Sequence, residues 1–399
     1  MKGRKARVAR WAVFGLLVAA LSVVAAGCGG GDEEGASTQI EGLGSTIEEI
    51  QANARDEGQT NLVIWGGYAD KSWADQFTQE TGCKVNTKDG AGSDDMVDLM
   101  ATGAWDGVSA SGDATLRLIA KGDVAPVNFD LTPNYADVFP GLKDQPYNTV
   151  DGVGYGVPHG RGPNFMVFRN DIVPAGTDSW APIWDGSYPN KLSIYDSQNF
   201  IADAAVYLKA TQPDLNITNP YELDDTQFQA AVDLLKQQRP NIGKYWDGVT
   251  YADQVTTFKS GETVVGTTWP YQVNLMAAEK PPLKVTAIKP KEGTTGWSDT
   301  WMIYSKAAHP NCMYLWMNYI ISPEANAKVA EYFGEAPSNE KACALTADAN
   351  HCATYHADDE AWWEDIYYWS TPQADCGDDR GEVCKTYEDW RAAWTEVKG

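Results

Sequence analysis

Apolar residues recur along this chain with two different periods, and the period changes at glycine-rich joints. "NLVIWGGYA" (61–69) begins as a continuous apolar run, the pattern of a strand buried on both faces, and ends in a glycine turn. "DKSWADQFTQETG" (70–82) sets Trp73, Ala74 and Phe77 at helical spacing and closes on Gly82. "CKVNTKD" and "WDGVSAS" read as two further strands, with "SDDMVDLMATG" a helix between them. Strands alternating with amphipathic helices predict a mostly parallel sheet flanked by helices. Ligands bind such sheets at the carboxyl ends of the strands, which puts "WGGY" and "SASGD" on the rim of one crevice.

The pattern then repeats. "GYGVPHGRGPNFMVFRND" (154–171) is a strand, a Pro/Gly interruption and another strand, and predicts a crossing between domains. A second α/β pattern runs from Trp184 to Trp269, with strands "KLSIYDS" and "ETVVGTTW" and helices "NFIADAAVYLKA" and "DTQFQAAVDLLKQQRP". "KVTAIKPKEGTTGWSDTWMIYS" returns in extended form, and "PNCMYLWMNYIISPEANAKVAEYFG" follows as helices. The aromatic, acidic "DDEAWWEDIYYWST" predicts a final helix packed on the body. Ahead of all this, "STIEEIQANA" predicts a short helix with Ser45 and Glu48 spaced as a capping box, and the ordered body is expected from about Asn61.

Within "TTGWSDTWM" (294–302), Trp297, Asp299 and Trp301 share a parity. On one strand they would share a face, with a carboxylate between two indoles. A buried ionised carboxylate is costly unless a cation or hydrogen-bond donor meets it.

The N-terminus sets the compartment. Lys2, Arg4, Lys5, Arg7 and Arg10 precede the apolar run "WAVFGLLVAALSVVAA", which is shorter than the about 20 residues of a spanning helix. That is the form of a signal peptide, residues 1–27. Ala25, Ala26 and Gly27 lead into Cys28 like a bacterial lipobox, with Ala25 in place of the usual leucine, which implies lipid attachment at Cys28. "GGGDEEGASTQ" then reads as a flexible tether. Removing the five basic leader residues from 31 leaves 26 against 55 acidic ones, near −29. A body this acidic does not bind nucleic acid by charge. Six cysteines remain, and in an exported chain they predict disulfides. Spacing suggests Cys343–Cys352 and Cys376–Cys384 as local loops, which leaves Cys83 with Cys312. A zinc site recruiting His351 and His356 beside Cys343 and Cys352 matches no finger spacing.

"VIWGGY", "WADQFTQETGCKV", "WDGVSAS", "YGVP", "LSIYDS", "VVGTTW", "IKPKEGTTGWSDTWMI" and "EYFGEAPSN" together resemble the substrate-binding proteins of bacterial ABC importers, in particular the spermidine/putrescine-binding branch. The resemblance covers roughly 61–371. It implies a type II periplasmic-binding-protein-like fold of two α/β lobes that close on ligand, without a cofactor. The implied division is 28–60 tether and short helix, 61–165 and 298–343 lobe 1, 166–297 lobe 2, and 344–399 a C-terminal segment on the lobe 2 side. Matched residue by residue, it implies that Trp65 and Tyr68 line the cleft and that Ser111 contacts a ligand nitrogen. Trp269 would stack on an alkyl chain, Trp297 form a wall, and Asp299 pair with an amine.

The chain also departs from that family pattern. Ser197 and Phe200 stand where polyamine binders place two acids, Gln272 where some members carry another, and Asp113 and Glu335 where tyrosines stand. Arg161 replaces an aromatic residue at the lobe crossing; facing the cleft it implies an anionic ligand group, and paired with Asp113 or Glu335 it leaves the site acidic. The expected ligand is a small cationic or zwitterionic compound, held by a lipid-anchored monomer that serves membrane permease subunits. A sugar binder of the same fold and a surface interaction protein stay open as alternatives. Catalysis is not expected: His159, His309, His351 and His356 fall in no metal or triad pattern, and "GVSAS" is not a nucleophile elbow.

Overall fold

The computed structural model describes residues 40–399. The leader, Cys28 and the first part of the tether lie outside the described residues. Among those described, no helix is long and apolar enough to cross a membrane.

Two five-stranded sheets form the two lobes. In lobe 1 the order is Lys84–Asp89, Gln59–Ile64, Gly107–Ala110, Thr300–Ile303, Val157–Pro158. The first three strands are parallel, and Thr300–Ile303 joins antiparallel to both of its neighbours. In lobe 2 the order is Ile242–Trp246, Leu192–Tyr195, Val265–Thr268, Phe165–Arg169, Val285–Ile288, again with three strands paired in parallel followed by two antiparallel pairings. The parallel strands are those linked by helical crossovers. In each sheet one strand, Thr300–Ile303 or Phe165–Arg169, runs against the other four, and each enters its lobe directly from the crossing sheet rather than through a helix. A third sheet, Ala336–Pro337, Gly160–Pro163, Thr294–Trp297 and Ile366–Tyr368, spans the crossing itself.

Each lobe has its own core. Phe77, Val108, Trp301, Met302 and Trp316 fill lobe 1; Ile194, Phe200, Val265, Leu235 and Trp390 fill lobe 2. Burying each such large side chain stabilises by about 1.5–3 kcal/mol. The helix Lys71–Thr81 is capped by the Asp70 carboxylate on Ser72 N–H and ends at Gly82 in the left-handed region. All three expected disulfides are present: Cys83–Cys312, Cys343–Cys352 and Cys376–Cys384. The first closes a separation of 229 residues inside lobe 1, and Cys343 and Cys352, being oxidised together, offer no thiolates to a metal.

Four expectations change. The N-terminal helix runs Ile47–Glu57, and its cap is Thr46 on Glu49 N–H, one residue later than the Ser45/Glu48 box. It also belongs to the ordered body, which therefore starts well before Asn61: Ile50 is buried, and Glu57 accepts hydrogen bonds from Asn311 and Cys312 N–H. The aromatic tail "DDEAWWEDIYYWST" is a short turn, Glu360–Trp363, followed by a strand parallel to Thr294–Trp297, because β-branched and aromatic residues suit an extended backbone as well as a helix. The final helix is Tyr387–Lys398, which buries Trp390 and Trp394 in lobe 2 while Tyr387 and Arg391 reach Asp94 of lobe 1 at 2.7 and 3.0 Å. Lastly, Trp301 does not share a face with Trp297 and Asp299. The chain leaves the crossing sheet at Trp297 and enters lobe 1 at Thr300, so the alternation restarts. Trp301 is fully buried there, its indole N–H donating to His159 Nδ1 at 3.0 Å.

Candidate functional site

Between the lobes lies a cleft of about 540 Å³, mouth included, walled by Trp65, Tyr68, Ser111, Trp269, Trp297 and Asp299 among others. Each arrives from a strand end. Trp65 and Tyr68 follow the strand Gln59–Ile64, where Tyr68 N–H donates to Trp65 O at 3.0 Å. That turn requires Gly67 at φ 91°, a region open to glycine. Ser111 follows Gly107–Ala110, and Trp269 follows Val265–Thr268. Asp299 sits where the chain passes from the crossing sheet into lobe 1, its backbone oxygen fixed by His159 N–H at 2.8 Å.

The carboxylate of Asp299 is 3 % exposed. Ser111 Oγ donates to one of its oxygens and Tyr68 Oη to the other, each at 2.5 Å. Ser111 Oγ in turn accepts from the Trp65 indole at 3.1 Å. Burial pushes the Asp299 carboxyl up to about 6; the two hydroxyl donors oppose this, and the Asp113 charge adds a little to it. Across the cleft Trp269 meets Trp65 edge-on at 6.3 Å between centroids. It is held from behind by Trp246 and Tyr195, and its indole donates to Asn164 Oδ1 at 3.1 Å. The result is a buried carboxylate in an aromatic box, a geometry suited to a cation.

The other three candidates lie elsewhere. Asp113 is buried in the helix Gly112–Lys121, where it accepts from Ser93 Oγ at 2.7 Å, and burial raises its carboxyl. Arg161 is buried on the crossing sheet, off the cleft wall, and pairs with neither Asp113 nor Glu335. Its guanidinium bonds Glu360 at 2.7 Å and Ala357 O at 2.9 Å and lies 4.3 Å over the Trp363 ring. Glu335 stands one layer behind Tyr68, 3.6 Å from His159 Nε2. Burial raises its carboxyl far above the usual range, and burial lowers the His159 imidazole to about 3, so burial disfavours the charged form of each. The same imidazole stacks on Tyr68 at 3.9 Å and supports the site from below.

Tyr251, Tyr271, Phe333 and Trp369 also line the cleft. Tyr271 lies two residues past Trp269, and Phe333 lies in "EYFGEAPSN", so both were within reach of the motifs. Trp369 comes from the tail strand. Its carbonyl presses so close to Gly112 that a Cβ there would meet it at 1.8 Å.

The family model for bacterial extracellular solute-binding proteins matches residues 72–359. The chain is 25 % identical over 300 residues to a spermidine/putrescine-binding periplasmic protein of Haemophilus influenzae, covering 74 % of this chain and 79 % of that one. A putative spermidine/putrescine ABC transporter structure from Listeria monocytogenes superposes with TM-score 0.70 at 20 % identity, covering 86 % of this chain and 99 % of that one. The binding protein MotA of A. tumefaciens, in complex with glucopine, superposes with TM-score 0.67 at 16 % identity, covering 86 % and 100 %. These likenesses establish the two-lobed fold.

Proposed function

This chain belongs to the bacterial extracellular solute-binding proteins, and on that premise we propose that it is the extracytoplasmic receptor of an ABC importer for a small amine-bearing ligand. Spermidine and putrescine, the compounds in the relatives' names, define the amine class to test first. The lobes close on the ligand and present it to permease subunits. Asp299 carries the reading: it is a buried carboxylate within an aromatic cleft, and among the described residues it forms no salt bridge. The ligand's ammonium supplies the missing charge. The turn of Arg161 towards Glu360 removes the anion partner that a zwitterion would need.

The family is one of transport receptors, not enzymes, and the proposal assigns no catalysis. Attachment to the membrane through a lipid on Cys28 is part of it, supported by the small residues before that cysteine. Replacing Cys28 with serine is expected to release the protein from membranes or leave it unprocessed; unchanged attachment refutes the anchor. Calorimetric titration with putrescine, spermidine, γ-aminobutyrate and a neutral sugar tests the ligand class. Heat with an amine supports the reading, and binding of the sugar alone overturns it.

A further inference from the structure

The cleft is rich in rings and poor in charge. Eight aromatic side chains line it: Trp65, Tyr68, Tyr251, Trp269, Tyr271, Trp297, Phe333 and Trp369. Asp299 is the one charged side chain among the described lining residues. The positions at which the family likeness anticipates more acid supply none. Phe200 is packed on Trp184 in the lobe 2 core, Ser197 Oγ accepts Asn199 N–H, and the Gln272 amide oxygen accepts Trp269 N–H.

A second carboxylate does exist nearby, behind a wall. Trp269 and Trp369 border both the cleft and a smaller cavity of about 260 Å³ whose lining includes Asp203. Asp203 accepts from Thr295 Oγ1 at 2.7 Å, and Trp369 is fixed by stacking on Tyr195 at 5.3 Å. The wall therefore separates the cleft from Asp203.

Every ammonium taken into a closed cleft needs a counter-charge, since an unpaired buried ion is strongly penalised. Ring faces attract a cation without using its N–H donors, and they suit alkylated ammonium groups best. Each Asp299 oxygen already accepts one hydroxyl, which leaves it one further acceptor site for a ligand N–H. We infer that, within the amine class on which this rests, the cleft selects compounds with one ammonium on an apolar or alkylated body, quaternary ammonium included, over diamines and polyamines. Trp369, contributed by a segment beyond the family-matched residues, is the specificity-determining wall.

The test compares n-butylamine with putrescine, which share a carbon chain and differ by one ammonium, with choline as the quaternary probe. Calorimetry on the whole folded protein is expected to show butylamine and choline binding about tenfold or more tighter than putrescine. Putrescine binding as tightly as butylamine, or tighter, overturns the inference and leaves the amine reading intact. Failure of all amines alongside binding of a neutral sugar overturns the amine reading itself. Trp369→Ala would join the two cavities and expose Asp203, and putrescine is expected to gain relative to butylamine. An unchanged ratio in a folded variant removes Trp369 from the role. Should that variant not fold, the wild-type pair still decides the charge count.

Discussion

The ligand cleft and the pocket behind the crossing sheet use the same materials to opposite ends. In the rear pocket, Arg161 lies over Trp363 and bonds Glu360, so ring, cation and carboxylate all come from the chain. In the cleft, the rings and the Asp299 carboxylate are present and none of the described lining residues brings a cation to them. One arrangement is complete and structural; the other, on the proposed function, is complete only with a guest. The difference shows why aromatic residues beside a charge do not by themselves mark a binding site.

Four measurements sharpen or break this contrast. Asp299→Asn is expected to weaken amine binding a hundredfold or more in calorimetry, since losing one partner of a buried charge pair costs about 3–5 kcal/mol and 1.4 kcal/mol is about tenfold. Arg161→Met should do the reverse, lowering stability by about 2–3 kcal/mol in denaturant unfolding and leaving amine affinity unchanged. A loss of affinity there would mean the two regions are not separate.

The third measurement is the pH dependence of binding. Folding raises the Asp299 carboxyl to about 6, so its protonated form favours the ligand-free fold. That contribution is full below about pH 4 and is lost as pH rises through about 6. Binding needs the carboxylate, so affinity is expected to be flat above about pH 7 and to fall about tenfold per unit below about pH 6. A flat profile down to about pH 5 would contradict the site. The smallest effect belongs to Glu360→Gln. Glu360 is 56 % exposed, and water replaces much of what Arg161 loses, so the change in stability is expected to stay under about 1 kcal/mol.

The alternation of periods made both lobes legible, because helix and strand spacing survive wherever one face is buried. The cleft aromatics Trp65 and Tyr68 were legible because they follow a strand, where the chain turns out of a sheet, whereas Trp269 was legible only through the family resemblance. Arg161 was not legible in the same way. Its partner Glu360 is 199 residues away, and nothing local to "HGRG" tells which side of the sheet the guanidinium takes. Trp301 failed for a different reason: parity holds only within one strand, and the backbone changes sheets at Ser298–Asp299. Trp369 was hidden because a tail of tryptophans and tyrosines fits a helix or a strand equally well until its pairing with Thr294–Trp297 is seen.

The final helix has a kinetic consequence. It is rooted in lobe 2 through Trp390 and Trp394, yet Tyr387 and Arg391 grip Asp94 in lobe 1, with Asp94 still partly open to water. Separating the lobes must break both contacts, whereas a ligand entering open lobes meets neither. The tail is therefore expected to govern how long a captured molecule stays rather than how fast it arrives. Added salt, which screens exposed ion pairs, is expected to quicken release in stopped-flow experiments, and Asp94→Ala to abolish most of that salt sensitivity.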